Sequence, residues 1–125
     1  MSTEDVNEIA YGEVFTRQWV VETMLDLIGY TPDRNLACTR IIEPSIGSGA
    51  FIVPVVKRLL ASAQLHRAEP DDLRDCVFGV DLQSVHVATC RSKVMAMLVE
   101  HGLEENEAES LAMNWLREGD FLLDD

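Results

Sequence analysis

Two carboxylates in this 125-residue chain stand where an apolar run gives out: Glu43 after Ile41-Ile42, and Asp81 after Cys76-Val77-Phe78-Gly79-Val80. Glu43 leads through Pro44 into Gly47-Ser48-Gly49, and a third acid, Asp120, follows Gly119 near the other end. Glycines separated by one small residue allow positive φ and carry no Cβ, so the backbone can approach a small ligand closely. Helical spacing resumes after Gly49, so a helix start points its unpaired N–H groups at the same spot. The charges narrow the ligand. A phosphate-binding Gly-x-x-x-x-Gly-Lys-Ser/Thr loop needs a lysine, but Ala50 and Phe51 follow Gly49. Ile52 occupies the place of the third glycine of a dinucleotide loop. Across a low-dielectric pocket Glu43 repels phosphate and favours an ammonium or sulfonium group, so the turn suits a cationic or zwitterionic ligand.

These residues need strands that end together. Ala37 to Glu43 reads as a strand covered on both faces, and Cys76 to Asp81 as a second. Between them Phe51, Ile52, Val55, Val56, Leu59, Leu60 and Ala63 form a helical stripe, with Pro54 near its start where a missing N–H costs least. Strand, helix, strand implies a right-handed unit with parallel strands, which brings Asp81 beside the glycine turn. The polar stretch from Gln64 to Asp75 reads as a loop with a helical turn. Upstream, Thr16 is a candidate N-cap for a helix whose Trp19, Val20, Thr23, Met24, Leu27 and Ile28 should pack inward before Gly29 and Pro32 stop it. A longer helix is expected from Gln83 to His101, with Val85, Ala88, Val94, Met95, Leu98 and Val99 inward. A short one covers Ala108 to Trp115.

Glu43-Pro44-Ser45-Ile46-Gly47-Ser48-Gly49-Ala50-Phe51 resembles motif I of the class I S-adenosylmethionine-dependent methyltransferases. Within them it is closest in pattern to the adenine-N6 DNA methylases of restriction-modification type, where the motif reads Asp/Glu-Pro-x-x-Gly-Ser-Gly-x-Phe. Gly12-Glu13-Val14-Phe15-Thr16-Arg17 resembles their motif X at 12–17, with Arg17 where a proline is usual. Gly79-Val80-Asp81-Leu82 resembles motif II, and Gly119-Asp120-Phe121-Leu122 motif III, in the γ motif order. The resemblance implies an α/β chain with a partial Rossmann-like methyltransferase fold: one incomplete domain over 1–125, a parallel sheet of strands 3-2-1, flanking helices and an N-terminal helix. It implies S-adenosyl-L-methionine as cofactor. Phe15, Thr16 and Glu43 would lie at its methionine end and Pro44, Gly47 and Gly49 beneath it. Asp81 would accept from the ribose hydroxyls, with Leu82, Asp120 and Phe121 around the adenine. From the residues alone, Asp81 also reads as a helix N-cap, Phe15-Thr16 as a capping turn, and Gly119-Asp120 as a common turn.

The family's next motif, Asn/Asp-Pro-Pro-Tyr/Phe, holds the flipped base, and no Pro-Pro pair occurs in this sequence. No Ser-His-Asp or Cys-His set suggests independent chemistry. The reading is therefore the cofactor half of a methyltransferase, inactive alone. The alternative is a non-catalytic partner subunit that keeps the fold as an interaction module. A nucleotide-binding oxidoreductase-type domain is disfavoured by Glu43 and Ile52. Strand one, interior in the family, would here be an edge that pairs with another chain or with the rest of its own enzyme.

Composition agrees. Ten Lys and Arg stand against 22 Asp and Glu, a net charge of −12, so the segment by itself should repel DNA. The acids form either a docking face for a basic partner or a solvated surface. No apolar run approaches the ~20 residues of a membrane span, and the polar, acidic N-terminus does not read as a secretory signal. Cys38, Cys76 and Cys90 lack metal or redox spacing and read as reduced and mostly buried in a cytoplasmic protein. His66, His86 and His101 read as surface or capping histidines, with no metal site.

Overall fold

The computed structural model describes residues 18–123, so the motif X residues Phe15 and Thr16 lie outside the described part. A first helix, α1, covers 18–27. Then come β1 (Ile41–Glu43), α2 (Ile52–His66), β2 (Val77–Asp81), α3 (Ser84–Glu100), α4 (Glu105–Trp115) and β3 (Leu116–Glu118). The strands form one parallel sheet in the order β1-β2-β3, with Ile42 opposite Phe78 and Asp81 opposite Glu118. This is the partial Rossmann-like arrangement expected. Among the described residues no helix is long and apolar enough to cross a membrane.

One face of the sheet is closely covered. Gly79 sits where a Cβ would come within 3.1–3.3 Å of Leu116, Ile46 and Ile52, so glycine lets the turn after β1 and the start of α2 close down on β2. Val55, Val56, Leu59, Val94, Leu98 and Trp115 are buried behind it. Arg91 fastens α3 to β3 by donating from two guanidinium nitrogens to the Leu116 carbonyl, at 2.9 and 2.7 Å. Trp115 Nε1 donates to the Leu73 carbonyl at 2.9 Å, so the end of α4 is hydrogen-bonded to the chain entering β2. The opposite face is more open. A cavity of about 420 Å³ there is lined by Arg40, Ile42, Phe78, Arg117 and Phe121 among others, with the Arg40 guanidinium 5.3 Å from the Phe78 ring centre.

Several expectations are corrected. β1 begins at Ile41, because residues Leu36–Cys38 form a 3-10 turn. That turn is held by buried Ser62 of α2, which accepts from the Leu36 N–H and donates to the Arg34 carbonyl. In α3, Val85, Ala88 and Val99 face outward, while Val87, Cys90, Val94 and Leu98 are buried. Cys38 is exposed, whereas burial pushes the Cys76 and Cys90 thiols up to about 11.

The largest correction concerns α1. Trp19, Val20, Met24, Leu27 and Ile28 are exposed, not packed inward, and Leu25 and Tyr30 enter the core instead. Arg58 of α2 explains the turn of the helix. Its side chain is 13% exposed, and its guanidinium reaches Glu22 Oε2 at 2.6 Å and Asp26 Oδ1 at 2.7 Å. It also donates to the carbonyls of Tyr30 and Glu22. Glu22, Leu25 and Asp26 share one helical face, so this bidentate clamp selects it over the more apolar stripe.

Candidate functional site

The chain leaves β1 at Glu43 and stays on the sheet: Ile46 donates its N–H to the Val80 carbonyl at 2.9 Å and buries its side chain. It then reverses through Gly47 (φ +55) and Gly49 (φ +83), both in the left-handed region that favours glycine. The Gly49 carbonyl accepts from Val53 and so begins α2. The two glycines differ in surroundings. A Cβ on Gly47 would meet nothing within 4 Å, whereas one on Gly49 would lie 3.2 Å from Cys90 Sγ. Gly49→Ala should therefore cost about 2 kcal/mol of stability and Gly47→Ala about 1 kcal/mol, read from urea unfolding midpoints. Equal costs would mean that contact with α3 does not constrain the turn.

Asp81, at the end of β2, is 7% exposed and ties this turn to its neighbours. Its Oδ2 accepts the Gly47 N–H at 2.8 Å, and its Oδ1 accepts the Gln83 N–H at 2.8 Å. His86 Nδ1 lies 3.2 Å from the same Oδ1. Burial pushes the carboxyl up, but the Gln83 and Gly47 amides and the His86 imidazole outweigh it and hold the group below the ordinary aspartate value. Asp81 is thus an ionised acceptor. It braces the glycine turn and holds the backbone at Gln83. The N-cap reading is corrected, because the N-cap of α3 is Gln83, two residues further on.

Pro44, Ser45, Gly47, Asp81, Leu82, Gln83, His86 and the segment Gly119–Leu122 enclose a cavity of about 380 Å³. That lies within the roughly 300–1,000 Å³ of small-molecule sites. The floor comes from parallel register, since the Gly119 N–H donates to the Asp81 carbonyl at 3.0 Å and draws the end of β3 alongside β2. Leu82 is 70% exposed and Phe121 37% exposed, so each offers apolar surface to a ligand. Asp120 Oδ1 accepts the Leu122 N–H at 2.9 Å and shapes the turn that carries Phe121.

Six residues singled out from sequence, Pro44, Gly47, Asp81, Leu82, Asp120 and Phe121, therefore share one cavity. Glu43 stands at the same strand end, but its Oε1 accepts the Ser45 N–H at 3.0 Å and it does not line that space. Gly49 belongs to an adjoining hollow with Ser48, Ala50, Val53, Pro54, Lys93 and Gln18. Gln18, the first described residue of α1, therefore lies beside the glycine turn. His86 was missed, because a histidine five residues after an acid carries no spacing signal of its own.

Comparison with known proteins gives the family. The chain is 43% identical over 117 residues to the Type II methyltransferase M.PaeR7I of Pseudomonas aeruginosa, covering 91% of this chain and 20% of that protein. The chain is homologous to a segment of Type II methyltransferases. Two further relatives support this: M.XhoI of Xanthomonas vasicola at 37% identity and M.BstVI of Geobacillus stearothermophilus at 32%, each covering 90% of this chain. This methyltransferase segment spans about a fifth of the length of the curated relatives it matches. No protein-family model and no solved structure matches it.

Proposed function

We propose that this chain is the S-adenosyl-L-methionine-binding segment of a site-specific DNA adenine-N6 methyltransferase of a restriction-modification or phage-defence system. The observation that carries the reading is the single cavity joining Gly47, Asp81, Leu82, Asp120 and Phe121 at the carboxyl ends of parallel strands. In such sheets ligands bind outside those ends. The residues fit the cofactor: a buried, ionised acceptor for ribose hydroxyls, apolar surfaces for a flat base, and no clustered cations suited to phosphate.

The cofactor supplies an activated methyl group on sulfur. The chain's own residues bind and orient: Asp81 accepts from the ribose, Leu82 and Phe121 flank the adenine, and Asp120 accepts from the exocyclic amine. Glu43 would face the methionine end, with Pro44, Gly47 and Gly49 beneath it; Phe15 and Thr16 keep the methionine-end role that their motif resemblance implies. The Asn/Asp-Pro-Pro-Tyr/Phe motif, the target-recognition region and the cationic DNA-gripping surface would belong to polypeptide outside this segment, within the cytoplasm. Thermal unfolding with S-adenosylhomocysteine, against NAD as control, tests the reading. At a hundredfold excess over Kd the first ligand should stabilise by about 2.7 kcal/mol and the second not at all. Stabilisation by neither, or by NAD alone, would sink it.

The partner surface follows from the same fold. Among the described residues β1 pairs on one side only, with β2, and Ile42 is half exposed. Together with the outward apolar residues of α1, this edge is where the rest of the enzyme, or a second subunit, would pack. The purified chain should self-associate or bind an apolar dye. A monodisperse monomer in light scattering, with little dye binding, would count against such a surface.

A further inference from the structure

The cavity contains a side chain that competes with the ligand it is built to hold. An ionised carboxylate offers about four acceptor positions, two on each oxygen. Among the described residues three are taken at Asp81: Oδ2 by the Gly47 N–H, and Oδ1 by both the Gln83 N–H and His86 Nδ1. The two amides belong to the glycine turn and the entry to α3, and neither can leave without undoing that backbone. One free position remains, on Oδ2. A ribose diol brings two O–H donors, so it cannot be fully received while the imidazole is in place.

His86 is able to move. It lies in the first turn of α3, its side chain is 37% exposed against 7% for Asp81, and it lines the same cavity as Leu82 and Phe121. Rotation toward solvent frees one position on Oδ1. We propose that His86 is a displaceable occupant of the ribose seat: binding of an adenosine-type ligand exchanges the imidazole contact on Asp81 for a hydroxyl contact. This inference rests on the cofactor reading and goes beyond it. It makes His86 a residue that sets affinity and hydroxyl selectivity by occupying the acceptor before the ligand arrives. In the empty protein the same contact keeps a buried carboxylate satisfied.

The test is calorimetric titration of the full chain. The ligands are S-adenosylhomocysteine and its 2′,3′-dideoxy analogue. His86→Ala and His86→Phe should bind S-adenosylhomocysteine about three- to tenfold more tightly than the native chain, the change made by one net hydrogen bond. Their affinity for the dideoxy analogue should be unchanged, since that ligand makes no claim on the seat. His86→Asn restores a donor to Asp81 and should fall back toward native affinity. A side-chain nitrogen NMR spectrum should show His86 Nδ1 losing its hydrogen bond at saturation with S-adenosylhomocysteine. Weaker binding by His86→Ala, or an equal change for both ligands, would overturn the exchange and leave His86 a supporting or merely structural group. If neither ligand binds the native chain or any variant, the cofactor reading fails and this inference with it. The two failures are distinct, because one shows binding with the wrong pattern and the other shows none.

Discussion

Asp81→Ala should lose cofactor affinity and fold stability in one step. The affinity loss is expected at about 1.5–3 kcal/mol, for hydrogen bonds from a buried carboxylate to a bound ligand. The stability loss, about 2 kcal/mol, has a separate source: the Gly47 and Gln83 amides, each 2.8 Å from an Asp81 oxygen, are left without their acceptor in a partly buried site. Asp81→Asn keeps one acceptor oxygen and turns a donor toward the other amide, so it should lie between the native chain and Asp81→Ala on both scales. Urea unfolding measures one effect and titration with S-adenosylhomocysteine the other. An unchanged Kd in the alanine variant would remove Asp81 from the ribose. An unchanged unfolding midpoint would show that the glycine turn does not need its brace.

Arg58→Ala should destabilise the chain by about 2–3 kcal/mol, between the small worth of an exposed ion pair and the larger cost of breaking a buried one. The Arg58 side chain is mostly buried while those of Glu22 and Asp26 are 40% and 65% exposed, so the carboxylates recover water when it is removed. The carbonyls of Tyr30 and Glu22 lose their donor as well. The effect should be concentrated in α1. Amide hydrogen exchange over 18–27 should accelerate more than exchange in α2 or α3, because those helices keep their own core. Arg58→Lys should rescue only part of the loss, since an ammonium cannot span both acids and both carbonyls with a planar fork. Uniform acceleration throughout the chain would mean that Arg58 supports the whole fold and not the docking of α1.

Much of this architecture was legible because its signals are local. The glycine turn, the acid closing each of the first two strands and the stop at Gly29 are dictated by residues within a few positions of one another. Parallel register then follows from chain topology, and with it the meeting of Asp81 and Asp120 in one cavity. The readings that went astray depended on distant partners. Nothing near α1 announces that Arg58 will choose its acidic face, so an apolar stripe that looked destined for the core points outward. Ser62 sits at 0% exposure in α2 and shortens β1 by holding the loop before it, a bond that spans 26 residues. His86 is the same lesson within the site: its meaning appears only once Asp81 is placed.

The bond from Gly47 to Asp81 also bears on how such a segment would age over generations. Because the carboxylate proposed to receive the ligand also serves the backbone, a lineage that abandoned the methyl donor would still be selected to keep this aspartate, simply to remain folded. Its persistence in a descendant would not testify to surviving chemistry. Leu82 is different: 70% exposed, it has little part in the core, and on the proposed reading it would be free to drift once the guest was gone.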